Sequence, residues 1–393
     1  MPMTTRQRRL RAGLVRRGFA LGRRLPLRRR IVLATTHADH LRGNLAAIRD
    51  GLGLAMPNAS VTVLARAQRR GAAGAIRAAI DAVIAGWHLA TAGLFVVDDH
   101  YAPMSAITKR PGTTFVQVWH ACGAFKKFGY SLAGKGFGAD EEAVREFPIH
   151  RNYDLCLVSA QRFAPFYAEA FDQPIERFTA RLGIPRTDAF FDAARVAAAA
   201  ARVRARYGLP PDRRVILYAP TFRGEAATAA RTPRDLDLDV LRRALADDHV
   251  VLLRAHPFVV AREAIDAELT GFVIDASAEP DINDLMLVSD VLVTDYSSAV
   301  FEFALLERPI AFFVPDLAAY ERERGFYLDV PAGLPGPAFE TTADLAAWLR
   351  AGDFDLDRVR RFLAESFDVA DGRSTPRFVA EVVRPAMLGN FQR

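Results

Sequence analysis

At 393 residues the chain is longer than one hydrophobic core usually sustains, and its 51% hydrophobic content is enough for two domains. The net charge of +6 is unevenly placed: residues 1–30 hold eleven arginines and no acidic residue, so the remainder is mildly acidic. Two cysteines, Cys122 and Cys156, exclude a disulfide framework and fit a reducing, cytoplasmic setting. No apolar run approaches the roughly 20 residues that a membrane span needs. The basic start is not followed by an uninterrupted apolar stretch, so a signal peptide is not expected.

In chain order, the basic leader comes first. Leu10, Leu14, Val15, Phe19, Leu21, Leu25 and Leu27 are interleaved with its arginines and give it an apolar side. Such a segment suits the anionic inner face of a cell membrane. It is equally readable as a disordered leader or as one that docks on the protein itself. Nucleic acid is not an expected partner. Short apolar runs then alternate with helical stretches. Ile31–Ala34, Val61–Ala65, Leu94–Val97, Thr114–Val118 and Leu155–Val158 read as strands, with helices predicted over Ala73–Ala85 and Ala160–Phe171. An Ala/Arg-rich linking helix over 189–207 ends at Gly208-Leu209-Pro210-Pro211. A second alternation follows: Val215–Ala219, Val250–Arg254, Phe272–Ile274, Val291–Thr294 and Ile310–Val314. Near-continuous apolar strands separated by helices predict parallel sheets covered on both faces. The expected fold class is therefore α/β, with two Rossmann-like doubly wound domains facing a central cleft. The expected divisions are a leader over 1–30, an N-terminal domain over 31–190, a C-terminal domain over 191–375 and a tail over 376–393 that packs back on the N-terminal domain.

On parallel sheets, ligands bind beyond the C-terminal strand ends, and the polar residues of this chain gather there. The strand 114–118 runs into Trp119-His120-Ala121-Cys122-Gly123-Ala124-Phe125-Lys126-Lys127, placing a His at the rim and two of the chain's four lysines just beyond it. In the second half, three strand ends supply Thr221 and Arg223, Arg254 and His256, and Thr294-Asp295-Tyr296-Ser297-Ser298. Arginine grips phosphate oxygens with a planar fork. Two hydroxyls at a helix start, with its free amides, suit a phosphate or diphosphate. The D-x-D patterns at Asp235–Asp239 and Asp353–Asp357 lie in polar connections and read as helix caps or solvated loops rather than metal ligands. Asp98-Asp99-His100 reads as a cap or turn. No Cys/His spacing resembles a zinc site.

These segments together resemble the CDP-glycerol glycerophosphotransferases, which build or prime poly(polyol phosphate) chains of the teichoic-acid type. The resemblance is carried by Trp119-His120-x-x-Gly123-x-x-Lys126-Lys127, Gly183-Ile-Pro-Arg-Thr-Asp188, Tyr218-Ala-Pro-Thr-Phe-Arg223, Arg254-Ala-His-Pro257 and Thr294-Asp-Tyr-Ser-Ser298 with Phe301-Glu-Phe303. It continues through Pro315-Asp316, Tyr320, Arg324-Gly-Phe-Tyr327 and Leu334-Pro-Gly-Pro337, spanning roughly 114–350. Ala121-Cys122 departs from the Gly-Thr-Pro that follows the His in many members.

The resemblance implies a GT-B-type architecture with the acceptor side N-terminal and the nucleotide side C-terminal. It implies CDP-glycerol as donor, attack by an acceptor hydroxyl on the β-phosphorus and release of CMP. On that basis His120 is the expected general base. His256, Arg223 and Arg254, with Thr294, Ser297 and Ser298, are expected around the donor phosphates. Glu302 is expected at the ribose, Asp295 as an orienting or capping group, and Lys126 and Lys127 at an anionic acceptor. No cofactor is called for, although Mg2+ stimulation is compatible with diphosphate chemistry. The alternatives are a CDP-ribitol enzyme, a GT-B glycosyltransferase using an NDP-sugar, and a non-catalytic scaffold at the membrane surface.

Overall fold

The computed structural model describes residues 4–67, 71–132, 141–224, 230–233, 235–259 and 264–389. Lys135 lies outside the described residues. Among these residues, twelve strands form two six-stranded sheets, and every pairing between strands is parallel.

The first sheet contains β1 (Arg28–Thr35), β2 (Ser60–Ala65), β3 (Ala92–Val97), β4 (Thr114–Gln117), β5 (Leu155–Leu157) and β6 (Phe178–Thr179), in the order β2-β1-β3-β4-β5-β6. The second contains β7 (Arg214–Tyr218), β8 (His249–Leu253), β9 (Val273–Asp275), β10 (Val291–Thr294), β11 (Ile310–Phe313) and β12 (Ala338–Phe339), in the order β12-β11-β10-β7-β8-β9. In each sheet the winding reverses once, between β1 and β3 and between β7 and β10. Such a switch point leaves a crevice beyond the strand ends. The expected two-domain, GT-B-type fold is present. The two-residue edge strands β6 and β12 were not foreseen, because two residues carry no periodicity to read.

The Arg-rich leader forms helix α1 (Thr5–Gly22), opened by a capping box between Thr4 and Gln7. It lies against α3 (Gly71–Thr91), burying Val15 and Phe19. Their backbones come close because small residues face each other: a Cβ on Gly18 would stand 2.1 Å from the Val83 carbonyl oxygen, and one on Gly86 2.1 Å from that of Val15. Of the readings open for the leader, docking on the protein is the one observed. Among the described residues no helix is long and apolar enough to cross a membrane.

The linking helix runs over Ala193–Tyr207, capped by the Asp192 side chain and ended by Gly208 at φ 60°. The tail returns to the first domain: Asp188 accepts from the amides of Ser374 and Thr375, and Met387 lies against Gly93 of β3. The larger apolar core is continuous between domains, running from the first sheet through Phe125 and Phe301 to Phe312 of the second. A smaller core fills the outer face of the second sheet around Val251, Leu241 and Leu345.

Candidate functional site

One wall of the site is built where β1, β3 and β4 end. Just beyond β4, Trp119 has φ 52°, a left-handed conformation that a bulky residue adopts only when its surroundings impose it. Three side chains do so. Asn44, buried in α2 (Gly43–Ala55), donates to the carbonyls of Val118 and Trp119 at 2.8 and 2.9 Å. Gln117 accepts from the Trp119 amide at 2.9 Å and donates to the Asp99 carbonyl at 2.8 Å. Arg186 donates to the His120 carbonyl at 2.8 Å.

The bend turns the His120 ring toward the Asp98 carbonyl, which lies 2.9 Å from Nδ1. A carbonyl can only accept, so Nδ1 carries the proton and Nε2 keeps a free lone pair. The His120 ring is exposed at the rim, and its pKa is drawn below the ordinary value by the protein packed around it and then by neighbouring His37, whose ring centroid is 5.3 Å away. His37 Nε2 is 3.3 Å from Asp99 Oδ2, which also accepts from the Thr36 amide and hydroxyl at 3.1 and 2.7 Å. Asp98 is pushed up to about 7, by burial and then by Asp99. Asp98 and Asp99 form a bend, and the Asp98 carbonyl and Asp99 carboxylate of that bend make the floor beneath His120.

The facing wall is built at the ends of β7, β8 and β10. Asp295 accepts from the Thr221 amide and hydroxyl at 2.8 and 2.9 Å, from the Tyr296 amide at 2.6 Å and from Arg223 at 2.8 Å. These bonds fix the elbow; the helix Ala299–Ala304 begins after Ser298 with no side-chain cap. Arg223 also grips Asp316 through two bonds of 2.6 and 3.1 Å and lies over the rings of Tyr296 and Tyr320. Burial works against its charge, but Asp295 and Asp316 outweigh that and hold its pKa above the ordinary value.

Several expected roles are corrected here. Arg223 already serves two carboxylates, so it braces the elbow instead of standing open to phosphate. Thr294 is fully buried, and its hydroxyl donates to the Ala219 carbonyl at 2.7 Å, leaving nothing for a ligand. Glu302 is buried and pairs with Arg186 of the other domain, while Cys122 Sγ donates to it at 3.1 Å. It is an interdomain tie rather than a group presented to a ribose. Lys126 belongs to the facing wall: the chain around it pairs antiparallel with Phe326, and its ammonium donates to the Tyr320 hydroxyl at 3.2 Å.

Ser297 and Ser298 are half-buried at the elbow, Ser297 Oγ accepting from the Ala299 amide at 3.2 Å. Arg254 spans to the Ser277 carbonyl at 2.6 Å and is half-buried. Lys127 is half-buried with its ammonium over the Tyr327 ring. His256 Nδ1 accepts from the Phe258 amide at 3.2 Å, so its neutral ring carries the proton on Nε2. Its pKa is lowered to about 4, by burial and then by Lys126, Arg254 and Arg324. Both D-x-D stretches prove to be caps, Asp237 and Asp355 each accepting two amides at the start of their own helix. Among the described residues no group of three or more His, Cys, Asp or Glu is placed to hold a metal ion.

Asn44, Gln117, Asp99 and His37 were missed as site residues. Nothing local marks Asn44, Gln117 or His37, since each acts through a residue more than 15 positions away or through loop geometry. Asp99 and Arg186 stood in the noted segments Asp98-Asp99-His100 and Gly183–Asp188.

Comparison with known proteins places this geometry in context. A sequence profile for the family described as CDP-Glycerol:Poly(glycerophosphate) glycerophosphotransferase matches residues 19–384. The chain is 36% identical to the teichoic acid ribitol-phosphate primase of Bacillus spizizenii over 350 residues, 88% of this chain and 89% of that protein. It is 39% identical to the teichoic acid poly(ribitol-phosphate) polymerase of the same organism over 300 residues, 76% of this chain but 48% of that one. The chain thus spans most of the primase and about half of the polymerase. In fold it is similar to the wall teichoic acid polymerase TagF, with a TM-score of 0.77 at 21% identity, covering 99% of this chain and 100% of the other.

Proposed function

The chain belongs to the CDP-glycerol:poly(glycerophosphate) glycerophosphotransferase family, and from that premise we propose that it transfers a polyol phosphate from a CDP-activated donor to a hydroxyl of a lipid-linked or glycan acceptor, releasing CMP, in the synthesis of a teichoic-acid-like cell-surface polymer. The observation that carries this reading is the complementary state of two neutral histidines. His120 offers a lone pair at Nε2, whereas His256 offers a proton there, amid Lys126, Arg254 and Arg324.

In the proposed reaction His120 Nε2 takes the proton of the acceptor hydroxyl as its oxygen bonds to the β-phosphorus. The bond from that phosphorus to the bridging oxygen breaks, and CMP leaves with the electron pair. Lys126 and Arg254 balance the charge that collects on the phosphate oxygens, while neutral His256 donates its Nε2 hydrogen to them, with Ser297 and Ser298 at the elbow as hydroxyl donors. This chemistry asks the protein for alignment, a base and preorganised charge rather than covalent work.

The family description names glycerol, whereas the two relatives above are named for ribitol phosphate. Ribitol is therefore the second reading of the donor. Product mass analysis with CDP-glycerol and CDP-ribitol in competition decides between them, and running it with and without Mg2+ tests stimulation through the donor diphosphate. Selective stabilisation by UDP instead of CMP or CDP would favour an NDP-sugar enzyme.

The mechanism is tested by CMP release with a lipid-linked acceptor. His120→Ala and His256→Ala should each lower turnover by about 10²- to 10⁴-fold without loss of fold. Near wild-type turnover in both variants would overturn it, and no turnover with any activated polyol would favour the scaffold.

We also propose that the enzyme works peripherally on the inner face of an anionic membrane. The support is the surface of the α1–α3 pair: Ile76, Ile80 and Ile84 of α3 are exposed one turn apart, Leu10 and Leu21 of α1 are exposed, and the exposed Arg6 and Arg17 flank those leucines at helical spacing. Large apolar groups beside arginines suit the boundary between headgroups and acyl chains.

A further inference from the structure

The two walls meet at one guanidinium. Arg186 comes from the loop that follows β6, and its side chain is 16% exposed. Nη1 donates to the His120 carbonyl at 2.8 Å, while Nη2 pairs with Glu302 on the helix Ala299–Ala304 of the opposite domain. The Arg186 amide donates to Asn44 Oδ1 at 2.9 Å, and Asn44 in turn holds the carbonyls of Val118 and Trp119. One residue therefore touches the base loop through its side chain and, through Asn44, its backbone, while its charge is matched from the donor domain.

The surrounding packing leaves this contact little room to slide. A Cβ on Gly123 would stand 2.1 Å from the Phe301 ring, so the base loop lies directly on the helix that carries Glu302. Cys122 is fully buried, its sulfur bonded to Glu302 and its carbonyl accepting from Ser159 at 2.9 Å. Glu302 is one turn beyond Ser297 and Ser298 on the same elbow. A planar guanidinium can hold a carbonyl and a carboxylate at fixed directions together, which an ammonium cannot.

We infer that Arg186 is a positioning residue: with Glu302 it locks the His120 loop of one domain to the phosphate elbow of the other, setting the separation between base and donor. The inference rests on the reading of His120 as the base. It assigns Glu302 to alignment of the two walls.

The test is a double-mutant cycle on the full chain. Arg186→Lys and Glu302→Gln are made alone and in combination with His120→Ala, and kcat, donor KM and Tm are measured with whichever CDP-polyol is turned over. Misalignment of a base by a fraction of an ångström predicts a fall in kcat of about 10-fold or more with donor KM changed less than about 3-fold. In the His120→Ala background the same changes should cost less than about 2-fold, because no base remains to be positioned. Single-turnover rates, normalised to the fraction of sites that bind CMP, keep the comparison valid where a variant folds less well.

Losses that multiply in full with His120→Ala, or an unchanged kcat, would overturn the inference. A rise in donor KM at constant kcat for Glu302→Gln would overturn it too and return Glu302 to the nucleotide. A His120→Ala variant with wild-type turnover would instead defeat the reading of the base, so the two failures are separable.

Discussion

His120 is exposed at the rim and His256 is half-buried; the pKa of each is pulled below the ordinary value, and opposite ring nitrogens are engaged. A carbonyl at Nδ1 makes the first an acceptor at Nε2, and an amide at Nδ1 makes the second a donor. This pairing sets the pH dependence. The folded pKa of each lies below the ordinary value, so each neutral state is complete above about 6.5 and is lost as pH falls below it, through about 4 for half-buried His256. The acid limb of kcat/KM should accordingly lie below 6.5. A limb near 6.5 in the free enzyme, measured across pH at low substrate, would mean that neither ring titrates as placed. At this scale the residue types at the strand ends were legible, and their roles only partly so. Arg223, Thr294 and Glu302 were recognised as rim residues, but their hydrogen bonds go to Asp316, Ala219 and Arg186, partners far away in the chain.

Among the elements, the βα units were readable because buried parallel strands are continuous apolar runs. The D-x-D stretches illustrate how local context settles an ambiguous motif. Asp237 and Asp355 each take two amides at a helix start, which is what a short acidic side chain does when a polar connection meets an apolar-faced helix. Asp237→Ala and Asp355→Ala should each cost about 1 kcal/mol by denaturant unfolding. Neither should alter the dependence of turnover on Mg2+. A changed metal dependence would restore these acids as ligands. The loop after β4 was the least legible element. A left-handed Trp119 is not a preference of tryptophan; it is imposed by Asn44, Gln117 and Arg186 from three different segments.

For the whole molecule, the notable feature is that the domains share a core, with the chain at 125–127 pairing against 325–327 between them. The leader is part of this body, since α1 packs on α3 along Gly18, Gly22 and Gly86. Membrane contact is thereby predicted to need α3 as well as arginine charge. In flotation with phosphatidylglycerol vesicles, Ile76→Ser/Ile80→Ser/Ile84→Ser should weaken binding about tenfold or more, since each isoleucine removes apolar area from the interface. Turnover on a soluble acceptor should be unchanged, and 0.5 M salt should weaken the wild type as well. Flotation of the triple variant equal to wild type would leave α3 without a role at the membrane.

The sequence by itself determined the alternation of strands and helices, the two α/β halves and the strand-end positions of His120, Arg223, Arg254, His256 and the elbow. These follow from short-range periodicity and from the geometry common to parallel sheets. Only the tertiary structure decided which of those groups remain open to a ligand. A side chain's availability depends on partners that the fold brings from 70 to 180 residues away. Asp295 reaches Thr221 across that distance, Asp316 reaches Arg223, and Glu302 reaches Cys122 and Arg186.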